Sequence, residues 1–110
     1  MNRVVLITGA ASGLGWALSR AHLSAGDQVV LADRDATLLQ QREHECSDSQ
    51  QVMTCLCDVT DAQQLAEMLV KVDQRFGRLD VLVNNAGITH RSAAAETDPA
   101  VVRRVMATLS

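Results

Sequence analysis

Four short runs of branched aliphatics, "RVVLIT", "DQVVLAD", "QQVMTCLC" and "LDVLVNN", recur along this chain with longer helical patterns between them. A strand buried on one face alternates apolar and polar residues. These runs are almost continuously apolar, as strands covered on both faces are. In the first intervening segment Leu14, Ala17, Leu18, Ala21 and Ala25 repeat on one predicted helical face, with Gly26 as a stop. A weaker helix is predicted from Asp35 to Glu45. Leu65, Met68, Leu69, Val72 and Phe76 mark a third helix, closed by Gly77 and opened by the capping pattern Thr60-Asp61-Ala62-Gln63, with Thr60 as the expected cap. A last helix is predicted to open at Asp98-Pro99 and to align Val101, Val102, Val105, Met106 and Leu109.

The order β-α-β-α-β-α-β-α predicts a parallel sheet with helices on both faces. Right-handed crossovers carry the first three strands one way, and the fourth returns beside the first, giving the order 3-2-1-4. Ligands of such sheets bind beyond the carboxyl ends of the strands, at the switch point between strands one and four. The chain shows no linker, repeat or low-complexity segment.

At 110 residues, 47% hydrophobic and 21% charged, the chain reads as one small globular unit. A net charge of −3 argues against a nucleic-acid binder. No apolar run approaches the roughly 20 residues of a membrane span. The opening "MNRVVLITGAASG" is too briefly apolar for a secretion signal, so the cytoplasm is the expected compartment. Cys46, Cys55 and Cys57 cannot all pair internally. His44 beside Cys46, and Cys55-x-Cys57, invite a metal reading, yet zinc pairs usually keep two to four residues between their cysteines. Buried structural thiols and no metal are expected.

The richest motif follows the first strand: Thr8-Gly9-Ala10-Ala11-Ser12-Gly13-Leu14-Gly15. Gly9 allows a tight turn, and Gly13 and Gly15 leave room where a pyrophosphate or a neighbouring backbone comes close. The helix behind them offers free N–H groups and a positive dipole end to an anion. The spacing G-x-x-x-G-x-G is not the G-x-G-x-x-G fingerprint, so the loop alone is a weak signal. Asp33, ending the second strand, stands where an acidic residue meets ribose hydroxyls. Its charge repels a 2′-phosphate and favours NAD. Arg34 could pair with that phosphate and leaves NADP open.

Thr8-Gly9-x-x-x-Gly13-x-Gly15, Asp33, Asp58-Val59 and Asn84-Asn85-Ala86-Gly87, in this order and spacing, closely resemble the short-chain dehydrogenase/reductases. The resemblance covers nearly the whole chain. It implies a truncated Rossmann-type doubly wound sheet, with residues 1–110 forming one amino-terminal NAD(P)-binding half-domain, incomplete at its carboxyl end. It further implies that Gly9, Ser12, Gly13, Leu14 and Gly15 form the pyrophosphate-side loop and that Asp33 holds the adenosine ribose. Asp58 and Val59 would flank the adenine. Asn85 with Ala86 and Gly87 would line the cofactor at the end of strand four, and Asn84 would pin the sheet. His22 and His90 have no partner in the pattern. His22 is expected on a helix surface and His90 in a substrate-side loop.

Family members transfer a hydride between nicotinamide and a carbonyl or alcohol, using a tyrosine, a lysine four residues after it, a serine and a helix asparagine. The tyrosine needs the cationic neighbour because its ordinary pKa is about 10. This chain has no tyrosine, and its one lysine, Lys71, lies in the third predicted helix. Ser92 and Ser110 lack the serine's context. Where Val-Asn is expected near 108 and 109 the sequence reads Thr108-Leu109, a departure suggesting a reading-frame or exon boundary.

The leading expectation is the cofactor-binding part of a short-chain oxidoreductase, inactive alone. The alternatives are a non-catalytic dinucleotide-binding or interaction module pairing with intact relatives, and a chain too incomplete to bind anything. An open "VLVNN" edge and an unpartnered last helix would favour homo- or hetero-oligomers.

Overall fold

The computed structural model describes residues 3–48, 50–85 and the strand 95–97. Strands β1 (Val4–Thr8), β2 (Gln28–Asp33), β3 (Val52–Leu56) and β4 (Val81–Asn84) alternate with helices α1 (Gly13–Ser24), α2 (Ala36–Glu45) and α3 (Ala62–Phe76), and a short β5 (Ala95–Thr97) follows. The sheet order is β3-β2-β1-β4-β5. The first four strands are parallel, in the predicted order 3-2-1-4.

The near-continuous apolar runs are explained by burial on both faces. All five residues of β1 are buried, because β1 is paired on both sides and covered above and below. Val4 and Leu6 join Val30, Ala32, Met53 and Cys55 on one face, under Met68, Leu69 and Val72 of α3. Val5 and Ile7 join Val29, Leu31 and Val83 on the other face, with Leu39 of α2 and the half-buried Trp16, Leu18 and Leu23 of α1. Each fully buried Leu, Ile, Val or Met side chain contributes about 1.5–3 kcal/mol. The predicted α3 stripe is the observed one, and Gly77 ends that helix with φ 70°. The thiols of Cys46, Cys55 and Cys57 are free. Burial pushes both the Cys55 and Cys57 thiols up, which keeps them protonated and inert.

Four expectations are corrected. The buried residues of α1 are Gly15 and Ser19, whereas Leu14, Ala17, Ala21 and Ala25 face outward. Small residues and the scattered polar Ser19, Arg20, His22 and Ser24 leave this helix without a sharp apolar stripe, so its pattern does not select a face. Close approach to the sheet through small residues does, with Ser19 Oγ donating back to the Gly15 carbonyl (2.7 Å). The cap of α3 is Asp61, whose Oδ1 accepts from the N–H of Gln63 and Gln64. Thr60 turns instead to Asp58, donating from N–H and Oγ1 to Asp58 Oδ1 (3.0 and 2.6 Å). His22 is half-buried, with Nδ1 2.9 Å from Oδ2 of the buried Asp27, across the turn that ends α1. Finally, the outer edge of β4 is not open. β5 pairs with it antiparallel, in the register Leu82–Thr97, Val83–Glu96 and Asn84–Ala95. The predicted last helix, His90, Ser92, Ala86 and Gly87 lie outside the described residues.

The amino ends of the strands are tied by carboxylates. Asp80 Oδ2 accepts from the Val4 N–H (2.8 Å) and pairs with Arg78, while Asp27 holds Arg3 and His22. Burial pushes the Asp27 carboxyl up, but hydrogen bonds from His22 and Arg3 outweigh it and leave it below its ordinary value. That end of the sheet serves stability. The carboxyl end is built differently.

Candidate functional site

At the carboxyl ends of β1, β2, β3 and β4 the chain encloses a cleft of about 320 Å³. Gly9 and Ser12 form one wall, and Asp33 and Arg34 stand at the end of β2. Cys57, Asp58, Val59 and Thr60 follow β3, and Asn85 follows β4. Seven of the residues singled out from the sequence thus meet on one surface. Gly13, Leu14 and Gly15 sit behind that wall at the start of α1, and Ala86 and Gly87 lie outside the described residues.

The glycine turn is shaped by backbone requirements. Gly9 and Gly13 have φ of 63° and 55°, in the left-handed region that side chains disfavour. A Cβ on Gly15 would overlap the Gly9 carbonyl oxygen and stand 2.7 Å from Asn85 Nδ2. Where a Cβ on Gly13 would project, by contrast, there is open space. Gly15 is therefore demanded by internal packing, and Gly13 by backbone conformation.

Asn85 and Thr8 fasten the turn to β4. Asn85 Nδ2 donates to the Gly9 carbonyl (3.3 Å), and the Asn85 N–H donates to Thr8 Oγ1 (2.9 Å). Thr8 Oγ1 lies 3.4 Å from both the Val83 carbonyl and Asn84 Oδ1. On the β2 side the Ala10 N–H donates to the Ala32 carbonyl (3.1 Å). Asp33 Oδ2 accepts from the Ala11 N–H and Oδ1 from the Asp35 N–H, both at 3.0 Å. The carboxylate read from the sequence as a ribose acceptor is also a strut of the loop. Each oxygen retains a further lone pair for another donor.

Helix α1 begins without a cap. Ser12 has extended backbone (φ −144°), its side chain makes no capping hydrogen bond, and the first turn holds no acidic residue. Asp35 caps α2 through the Leu38 N–H, and Asp61 caps α3. The first N–H groups of α1 and the positive end of its dipole are therefore left without a side-chain cap, next to the cleft-wall residue Ser12.

Asp58 is held by Thr60, whose side-chain and backbone hydrogen bonds draw the carboxyl below its ordinary value; the nearby Arg34 guanidinium adds to this. The Asp58 N–H donates to Gln64 Oε1 (2.9 Å), and the Cys57 N–H to the Asp33 carbonyl (2.9 Å). Cys57 and Thr60 are wall residues that sequence reasoning missed as such. Their signal was adjacency to Asp58-Val59, the end of a strand pointing at the switch point. Among the described residues no group of three or more His, Cys, Asp or Glu is arranged to hold a metal ion.

The sequence and the fold both match a known group of proteins. The family profile described as short chain dehydrogenase matches residues 3–109. The chain belongs to that family. It is 40% identical over 114 residues to dehydrogenase/reductase SDR family member 7B of Bos taurus, a match spanning 97% of this chain and 35% of that protein. It is 42% identical over 91 residues to human 15-hydroxyprostaglandin dehydrogenase [NAD(+)], covering 80% of this chain and 34% of the relative. A crystal structure of a short chain dehydrogenase from Bacillus anthracis superposes with a TM-score of 0.74 at 33% identity, covering 76% of this chain and 34% of that one. The chain thus spans about a third of the length of these relatives. Members of the family are oxidoreductases that bind NAD(P). No helix among the described residues is long and apolar enough to cross a membrane.

Proposed function

We propose that this chain is the dinucleotide-binding portion of a short-chain oxidoreductase, with residues 1–110 acting as one cofactor-binding unit. The observation that carries this reading is the uncapped start of α1, opening onto the cleft behind Gly9 and Gly13. A helix terminus bordering a cleft without a cap suits an anion, and a pyrophosphate fits the loop chemistry. The residues fit the rest of the cofactor as well. Asp33, at the end of β2, would accept ribose hydroxyls, Asp58 and Val59 would flank the adenine, and Asn85 would line the cofactor where β4 ends, as Ala86 and Gly87 would by the family resemblance. Ser12, Gly13, Leu14 and Gly15 supply the phosphate side.

NAD is the preferred cofactor, because the Asp33 carboxylate repels a 2′-phosphate at the same position. Arg34, exposed on the cleft wall, offsets part of that repulsion. When bound, the cofactor supplies hydride chemistry, and the residues of this chain bind and orient it. The sequence holds no tyrosine to serve as the acid/base, so the chain by itself binds without turnover.

Calorimetric titration of the 110-residue chain with NAD and NADP tests this directly. Saturable binding is expected, tighter for NAD, with no oxidation of alcohols or reduction of carbonyls. Asp33→Asn should weaken NAD by about tenfold and narrow its advantage over NADP. Absence of binding, or turnover by the pure chain, would overturn the reading.

A further inference from the structure

Both backbone polar groups of Ala11, itself fully buried, are gripped by charged side chains from β2 and α2. Its N–H donates to Asp33 Oδ2 (3.0 Å). Its carbonyl accepts from Arg42 Nε (2.7 Å), a partner 31 residues away. The Arg42 guanidinium also stacks over the Trp16 ring, 4.9 Å from its centre, and its NH1 pairs with Glu45 Oε2 (3.0 Å). Arg42 does not line the cleft. It touches the residues on either side of the segment 12–15, the carbonyl of Ala11 before it and the ring of Trp16 after it.

The carbonyl of Ala11 and the N–H of Ser12 belong to one peptide plane. That plane is rigid and trans, so the two groups point in opposite directions. A donor that fixes the carbonyl therefore also aims the N–H. Ser12 lies on the cleft wall, and its N–H has no acceptor among the described residues. We propose that Arg42 is a positioning residue for phosphate recognition: by holding the Ala11 carbonyl from behind, it turns the Ser12 N–H toward an anion in the cleft. This rests on the dinucleotide reading above, but the geometry of the peptide does not.

The grip is built to be stiff. A guanidinium donates along fixed directions, and here it is confined by a ring on one side and a carboxylate on the other. Charge-assisted hydrogen bonds of this length are among the stronger ones in proteins. Without Arg42 the Ala11 carbonyl is buried and unpartnered, and a rotation of the peptide toward water would relieve it at the expense of the Ser12 orientation.

Three variants separate the proposal from general destabilisation. Arg42→Met keeps an apolar stem against Trp16 and removes the donor. Arg42→Lys retains a cation that can reach the carbonyl. Glu45→Gln loosens only the NH1 tether. Binding of ADP and of adenosine is measured for each, with amide exchange of Ser12, Gly13 and the β1 residues in the free protein. Arg42→Met should weaken ADP by about tenfold and adenosine by less than about twofold, because only ADP presents phosphate to the aimed N–H. Exchange at Ser12 should quicken while β1 is unchanged. Arg42→Lys should recover part of both effects, and Glu45→Gln, which keeps the Nε donor, should show both effects to a much smaller degree than Arg42→Met. Equal losses for ADP and adenosine, or an unmoved Ser12 amide, would overturn the role of Arg42. If the parent chain binds neither ligand, the dinucleotide reading falls, and the Ser12 exchange alone decides whether Arg42 sets that peptide. A parent chain without protected amides would sink both.

Discussion

Helices α1 and α3 both begin at the rim of one cleft, yet their first turns are completed in different ways. At α3, Asp61 accepts from two N–H groups, Gln64 reaches back to Asp61 and to the Asp58 N–H, and Thr60 engages Asp58. Every one of these partners lies within six residues in sequence. At α1 the capping position belongs to Ser12, which forms no such bond, and the loop before it is held by Asn85, Asp33 and Arg42 from distant parts of the chain. A helix start that satisfies itself locally adds stability. One held by remote residues leaves its first-turn donors without a side-chain cap.

The largest effect that could break this contrast is at Gly15. Gly15→Ala would drive a Cβ into the Gly9 carbonyl, a backbone group, and against the Asn85 side-chain amide. A loss of about 3 kcal/mol in urea unfolding is expected, together with loss of cofactor binding. An unchanged midpoint would mean that the close approach of α1 to the glycine turn is not a packing constraint.

Next come the two capping positions, changed in parallel. Asp61→Ala should cost about 1–2 kcal/mol, as removal of a working cap does, with cofactor affinity unaltered. Ser12→Ala should cost less than about 0.5 kcal/mol, as at exposed sites, because its hydroxyl caps nothing and its backbone N–H is kept. If the stability losses were equal, Ser12 would be a cap after all and the distinction between the helices would fail.

The smallest effect sharpens the comparison by pH. Asp58 is held below its ordinary carboxylate value by Thr60, so its folded pKa is depressed relative to the unfolded chain. Its contribution is therefore present above the ordinary value of 3.8 and lost as pH falls through the lower folded value. The Thr60 amide should show this in its chemical shift and exchange between about pH 4 and pH 2. The N–H groups at the start of α1, which has no acidic cap, should not follow it. Equal acid sensitivity at both helix starts would argue against their different construction.

What the residues alone determined is the list of parts and their order. Runs such as "VVLIT" and "QVVLAD" could only be strands covered on both sides, and the α3 stripe from Leu65 to Phe76 could only face one way. The glycines and Asp33 pointed to the carboxyl ends of the strands, where the cleft lies. These features are legible because burial and backbone conformation leave their mark within a few residues. Tertiary structure decided the rest. The inward face of α1 was settled by how near Gly15 and Ser19 let that helix approach the sheet, since its own pattern has no sharp apolar stripe. The partner of His22 waits across a turn, at Asp27, and β5 found β4 by running antiparallel. Arg42, on a helix with no motif around it, reaches the Ala11 carbonyl 31 residues away. No local periodicity records such pairings, because they exist only once the sheet has brought distant segments together.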